Sequence, residues 1–148
     1  MKMLMAFGFV ALLAAIARID FLKKRIPDFL TAGVGLVGLI ALHTIPQPGT
    51  AARVAGVFAV SLPLFLIACL RPRAFGGGDI KLMAAGGLFL GVRMILLSFV
   101  LAMLGSGVYS VFLLLKGEGK ERQFAMGPFL CAGMAVSCFW GERIWQLL

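Results

Sequence analysis

Apolar residues fall in runs long enough to cross a bilayer, and the polar residues gather in short gaps between them. A helix needs about 20 residues to span a hydrocarbon core roughly 30 Å thick. The first run goes from Met3 to about Ala17, and Arg18, Asp20, Lys23, Lys24 and Arg25 follow it. The second, about 29–45, comes after Ile26-Pro27-Asp28. Proline near a helix start costs little, because its missing N–H would be unpaired there anyway. Pro46-Gln47-Pro48-Gly49 reads as a turn. The third run, about 51–70, contains Pro63, which should kink it, and Arg71-Pro72-Arg73 ends it. Gly76-Gly77-Gly78 before Asp79 reads as a loop whose backbone can come close to a neighbour. From about Ile80 to Leu115 only Lys81 and Arg93 are charged. That stretch is too long for one crossing at ~1.5 Å per residue, so it should split near Gly91-Val92-Arg93. The piece 80–91 is then short, tilted or partly re-entrant. A polar loop over 116–123 and a last run over 126–148 complete the chain. Trp140 and Trp145 in that run suit an interfacial belt.

The pattern predicts an all-α, polytopic membrane protein, a bundle of about six transmembrane helices forming one membrane-embedded domain over 1–148. Composition agrees: 61% of residues are hydrophobic, 14% are charged and the mean hydropathy is +1.04. Too little charge is available to clothe a soluble domain. Ala15-Ile16-Ala17 resembles a signal-peptide cleavage site, but the basic cluster immediately after it resists translocation. The segment is therefore kept as the first helix. Glycines inside the runs, such as Gly33, Gly56, Gly87 and Gly105, allow close helix approach in lipid.

Charge orients the bundle. Six helices put ten basic residues on one side: Arg18, Lys23, Lys24, Arg25, Arg71, Arg73, Lys81, Lys116, Lys120 and Arg122. The other side holds four: Lys2, Arg53, Arg93 and Arg143. The richer side should be cytoplasmic, with both termini outside. Five helices would leave Arg93 in mid-membrane, at a cost of at least ~2.5 kcal/mol. The net charge of +8 and pI near 10.1 would otherwise suggest a nucleic-acid partner. The basic residues form loop clusters with no stripe and no interleaved aromatics, so the lipid bilayer is expected and nucleic acid is not.

The acidic residues are few: Asp20, Asp28, Asp79, Glu118, Glu121 and Glu142. Glu118 and Glu121 belong to a mixed-charge loop, and Glu142 neighbours Arg143, so solvated roles suffice. Asp20 and Asp79 each stand at the boundary of an apolar helix on the cytoplasmic side, where an ionisable residue is a functional candidate. Simpler roles exist. Asp20 could pair with Lys23 or Lys24 one turn away, and Asp79 could be a helix N-cap. The three glycines favour function at Asp79, because a cap needs no such freedom. Two facing aspartates can hydrolyse a peptide without metal or organic cofactor. Like charges at close range do not both ionise comfortably, so the pair shares a proton. The ionised member takes a proton from water and the protonated one polarises the scissile carbonyl. His43 reads as structural or interfacial, and Ser61, Ser98, Ser106, Ser110 and Ser137 as helix-packing residues. Cys69, Cys131 and Cys138 contain no C-x-x-C pair and read as small apolar packing residues, so neither a metal site nor a disulfide is indicated.

Gly76-Gly77-Gly78-Asp79 with Ile80-Lys81-Leu82 resembles the G-x-G-D motif of the type IV prepilin peptidases. Asp20, followed by Lys23-Lys24-Arg25-Ile26-Pro27-Asp28, resembles that family's first aspartate and its Ile-Pro-Asn/Asp element. Met126-Gly127-Pro128-Phe129-Leu130 is similar to its Pro-Phe-Gly-Pro-Phe element, with Ala125-Met126 departing from it. The resemblance implies two catalytic aspartates, Asp20 and Asp79, with Gly76, Gly77, Gly78 and Lys81 in the active-site loop. It implies prepilin or pseudopilin substrates, cut between a short basic leader and a hydrophobic helix. Larger family members carry an insert with two C-x-x-C pairs, linked to N-methylation. This chain has no such cysteines and resembles the short branch seen with tight-adherence pili and preflagellins, so methyltransferase activity is not expected. Basic leaders would be repelled by Lys23, Lys24 and Arg25, whose role is then topological. Other classes of function that fit the composition are a non-enzymatic subunit of a secretion or transport assembly and a small proton-coupled transporter.

Overall fold

The computed structural model describes residues 1–117 and 125–148. Its described residues form five α-helices and no strand: α1 (Lys2–Lys23), α2 (Asp28–Thr44), α3 (Thr50–Leu70), α4 (Gly77–Leu115) and α5 (Gly127–Leu147). The expected all-helical class is found. Helices α1, α3 and α4 are long and apolar enough to cross a membrane, and α2 is a shorter apolar helix of 17 residues. The polar loop predicted over 116–123, with Glu118, Lys120, Glu121 and Arg122, lies outside the described residues from 118 onward. Helix α4 packs against α2, α3 and α5, while α1 packs against α2 and α5. Many large apolar side chains point outward, including Leu62, Phe65 and Leu66 on α3 and Leu104, Val108 and Phe112 on α4. A bilayer solvates such surfaces, and helices satisfy their own backbone groups there.

Helix α1 runs further than its apolar stretch. The run ends near Ala17, yet the helix continues to Lys23. Arg18 and Lys23 have straight stems that lose little freedom in a helix and carry their charges outward. Lys24 stops α1 in the left-handed conformation (φ 52°), its N–H bonding the Asp20 carbonyl at 2.7 Å. The linker to α2 is correspondingly short. Asp20 therefore sits on a helix rather than in a loop. It continues the buried stripe of Phe9, Leu13 and Ile16, whose three- and four-residue spacing keeps them on one face.

Helix α4 breaks where the pattern predicts a split. Gly91 has φ 80° and ψ 170° inside it. A Cβ at Gly91 would also lie 2.7 Å from Pro48 Cγ, so the position excludes side chains twice over. The break removes ladder partners from carbonyls in the preceding turn. Arg53 of α3 supplies replacements: its Nη1 donates to Phe89 O at 2.7 Å and Leu88 O at 3.2 Å, and its Nε to Pro48 O at 3.0 Å. Arg53 is 1% exposed. It is thus a buried bracket between α3 and α4 and not a solvated loop charge.

Three smaller expectations also change or hold. Cys69 is exposed instead of packed between helices, while Cys131 is buried and Cys138 half-buried. Ser61, Ser98, Ser106 and Ser137 are buried at packing positions as expected. Ser61, Ser98 and Ser106 donate to carbonyls of their own helices.

Candidate active site

Asp20 and Asp79 come from different helices and line the same cavity, about 710 Å³, together with Ile26, Pro27, Asp28 and the three glycines. Both also line an adjoining cavity of about 510 Å³ bounded by Arg73, Phe75 and Met126. Asp20 is 6% exposed, and Asp79 is half-buried. Their carboxyl groups are close enough to act on one another through charge. Cys131 of α5 is close enough to feel both. The Asp20 pairing with Lys23 or Lys24 is not formed: among the described residues the ion pair joins Lys81 and Asp28. Instead, Asp20 Oδ2 accepts the backbone N–H of Gly127 at 3.0 Å.

The start of α4 differs from the expected flexible loop. Gly76 is the N-cap, and Gly77 and Gly78 already form the first helical turn. Asp79 is therefore the third helical residue and not the N-cap. Its carboxyl group turns back to the Gly76 backbone N–H, the contact an acidic residue makes at this position of a capping box. Positive φ is not the reason for these glycines: among the described residues, the glycines with positive φ are Gly91 and Gly117. Close approach is the reason at Gly78, where a Cβ would meet Ile26 Cβ at 3.0 Å. The Ile26-Pro27 corner thus lies against the glycine turn and closes one side of the cavity.

The remaining predicted residues divide into those at the site and those beside it. Lys81 belongs to α4 and not to a loop, and its Nζ bonds Asp28 Oδ1 at 3.1 Å across the exposed ends of α4 and α2. Pro128 occupies the first turn of α5, where its lack of N–H is harmless. Lys23, Lys24 and Arg25 also line the cavity. His43 is exposed near the end of α2, away from these cavities. No cluster of His, Cys, Asp and Glu among the described residues is arranged to hold a metal ion.

The sequence names Gly127 as a motif residue but not its N–H as a donor, and it reads Cys131 only as a packing residue. Cys131 and the Gly127 N–H both lie on the buried stripe of α5, with Met134 and Gly141. Helical periodicity read backward from Met134 would have placed them on one face, but nothing in residue type identifies a backbone donor.

A model of the type IV leader peptidase family matches residues 7–111. The chain belongs to this family. Similar proteins named prepilin leader peptidase/N-methyltransferase come from several bacteria. That of Legionella pneumophila is 28% identical over 97% of this chain and 52% of its own length. That of Bacillus subtilis is 31% identical over 94% and 56%, and that of Burkholderia pseudomallei (strain 1026b) 31% over 98% and 49%. The chain thus spans about half the length of these relatives. No solved structure matches it. Membership in the type IV leader peptidase family agrees with the apolar helices in making this a membrane protein.

Proposed function

We propose that this chain is a membrane aspartyl endopeptidase that removes the short basic leader of prepilin-like substrates, with Asp20 and Asp79 as its catalytic pair. The observation carrying this reading is that the two aspartates, 59 positions apart in sequence, line one cavity. One aspartate, ionised, takes a proton from a water whose oxygen attacks the scissile carbonyl. The other gives its proton to the carbonyl oxygen, which forms a tetrahedral diol. Collapse breaks the C–N bond as a proton passes to the leaving amine, leaving a carboxyl and an amine terminus. The family and the names of the relatives support leader cleavage. Co-expression with a prepilin should give a leader-sized shift on a gel. An unprocessed prepilin beside inserted, folded protein would overturn the proposal. The new N-terminus is expected to carry no added methyl mass, because the sequence holds no C-x-x-C pair.

On this reading α4 makes two crossings joined at Gly91, six in all. The active site then faces the cytoplasm at the inner membrane, on the side with ten basic residues. A cysteine at position 119, in a background lacking Cys69, Cys131 and Cys138, should react with an impermeant reagent only after the cytoplasmic face is opened. Labelling of intact cells from outside would reverse the orientation.

Gly78→Val should lower cleavage by roughly tenfold or more while the protein still accumulates. Its branched side chain would displace Ile26 from the cavity wall, and small displacements at a site have effects of this size. Gly76→Ala should do less, because its Cβ would sit at an ordinary 3.4 Å from Asp79 Oδ2. Full activity in Gly78→Val, measured on purified protein, would make the glycine turn a mere spacer.

A further inference from the structure

Resting on the dyad reading above, we propose that Gly127 is a positioning residue for cleavage: its backbone N–H fixes the Asp20 carboxylate, and its missing side chain makes room for that carboxylate.

Residues 107 positions apart meet in this contact, which is buried. Gly127 is the first residue of α5. Backbone N–H groups in a helix's first turn have no partner within the helix, and the positive end of the helix dipole lies there. Pro128 has no N–H, so the next residue cannot offer Asp20 an alternative donor. A backbone N–H only donates, so Oδ2 must be an acceptor. The ionised carboxylate offers acceptors on both oxygens and makes the stronger, charge-assisted bond. With Oδ2 held, the side chain has one orientation from which its other oxygen can serve the cavity.

The absence of a side chain matters equally. A Cβ on Gly127 would overlap Asp20 Oδ2 and stand 2.8 Å from Asp20 Cγ. These are parts of a short side chain on a packed helix, with no flexible end to swing away. Any larger residue must push the carboxylate off its donor or push α5 off α1. The contact therefore makes the geometry of Asp20 depend on where α5 begins. The other titratable groups near Asp20 are Asp79 of α4, Cys131 of α5, Lys23 and Lys24 at the end of α1, Arg25 and Asp28 at the α1–α2 corner, and Arg73 before α4. None of them stands in for the Gly127 donor.

Two measurements on the full chain in detergent test the proposal. Met126-Gly127 is the one Met-Gly step in the sequence. Carbonyl-labelled methionine with ¹⁵N-glycine therefore gives a single amide signal from Gly127. That signal should move with pH through the titration of a carboxyl group, and Asp20→Asn should abolish most of the movement. A signal insensitive to pH, or one that moves equally in Asp20→Asn, would overturn the contact, and this result does not require any Gly127 variant to fold. The second measurement is kinetic, with a prepilin peptide. Gly127→Ala should lower kcat by about 100-fold with KM within about threefold, the pattern of a misaligned catalytic group and not of lost substrate binding. Wild-type kcat in Gly127→Ala, or a change confined to KM, overturns the positioning role. If Asp20→Asn is inactive in the same assay, the dyad survives that failure. Cleavage by Asp20→Asn would instead remove the dyad itself.

Discussion

Asp20→Asn and Asp79→Asn should each abolish prepilin cleavage while leaving the protein inserted and folded. Asparagine keeps the shape of aspartate and can still accept the Gly127 N–H, so the fold loses little. It cannot take or give the proton that the reaction moves. General acid–base catalysis contributes about 10²–10⁴-fold, and losing one member of a proton-sharing pair disables both steps. The double variant should be no slower than either single one, because residues acting as a unit are strongly non-additive. Asp28→Asn is the internal control. Asp28 also lines the cavity, but it is exposed and paired with Lys81 at the surface. Such a pair is worth at most about 1 kcal/mol, so this variant should keep most of its activity. Rates on purified protein with one prepilin substrate decide the matter. Substantial cleavage by either single variant would overturn the dyad and assign hydrolysis to other groups, whereas no cleavage by the folded wild type would bring forward the transporter or the non-enzymatic subunit, in which the carboxyl groups relay protons or join helices.

The candidate residues were easier to read from the sequence than the backbone that holds them. Asp20 and Asp79 stood out because a carboxyl group beside an apolar helix is unusual. Their meeting in one cavity followed from two intervening runs that return the chain to one end. The run of apolar residues was a poor measure of α1, since Arg18 and Lys23 are as helical as their neighbours. Helix propensity also misjudged the three glycines. It argues against a helix at Gly77 and Gly78, yet both are helical; at Gly78 Ile26 packs where a side chain would stand, while the space beside Gly77 is open. The Gly127 N–H was invisible for a different reason: a backbone donor has no residue-type signature, and its partner lies 107 positions away. The break at Gly91 was legible from length alone. Its bracket was not, because Arg53 bonds carbonyls, which every residue possesses.

That bracket gives the largest expected effect on stability. Gly91 leaves the helical conformation, and the Leu88 and Phe89 carbonyls turn to the Arg53 guanidinium. Arg53→Met fills much of the same space but donates nothing. Leaving a buried acceptor unpaired costs about 1–3 kcal/mol, so these two carbonyls together cost about 2–6 kcal/mol. Removing a buried charge returns part of that cost, since its desolvation was unfavourable in the folded protein. The donors should dominate, because the guanidinium meets carbonyls from both the α2–α3 turn and α4. Arg53→Lys separates the two contributions. Lysine keeps the charge but presents its donors from one nitrogen, which cannot reproduce a planar fork reaching Pro48 O and Phe89 O together. If donor geometry governs, the lysine variant should melt as low as the methionine variant. If charge governs, it should recover wild-type stability. Both variants are expected to melt roughly 5–20 °C below wild type in detergent, the shift that such energies give for a protein of this size. Cleavage measured well below the melting point should change little, because Arg53 does not line the cavities that hold Asp20 and Asp79. Unchanged melting of Arg53→Met would mean that the break in α4 holds without its bracket, through the fit of Gly91 beneath Pro48 alone.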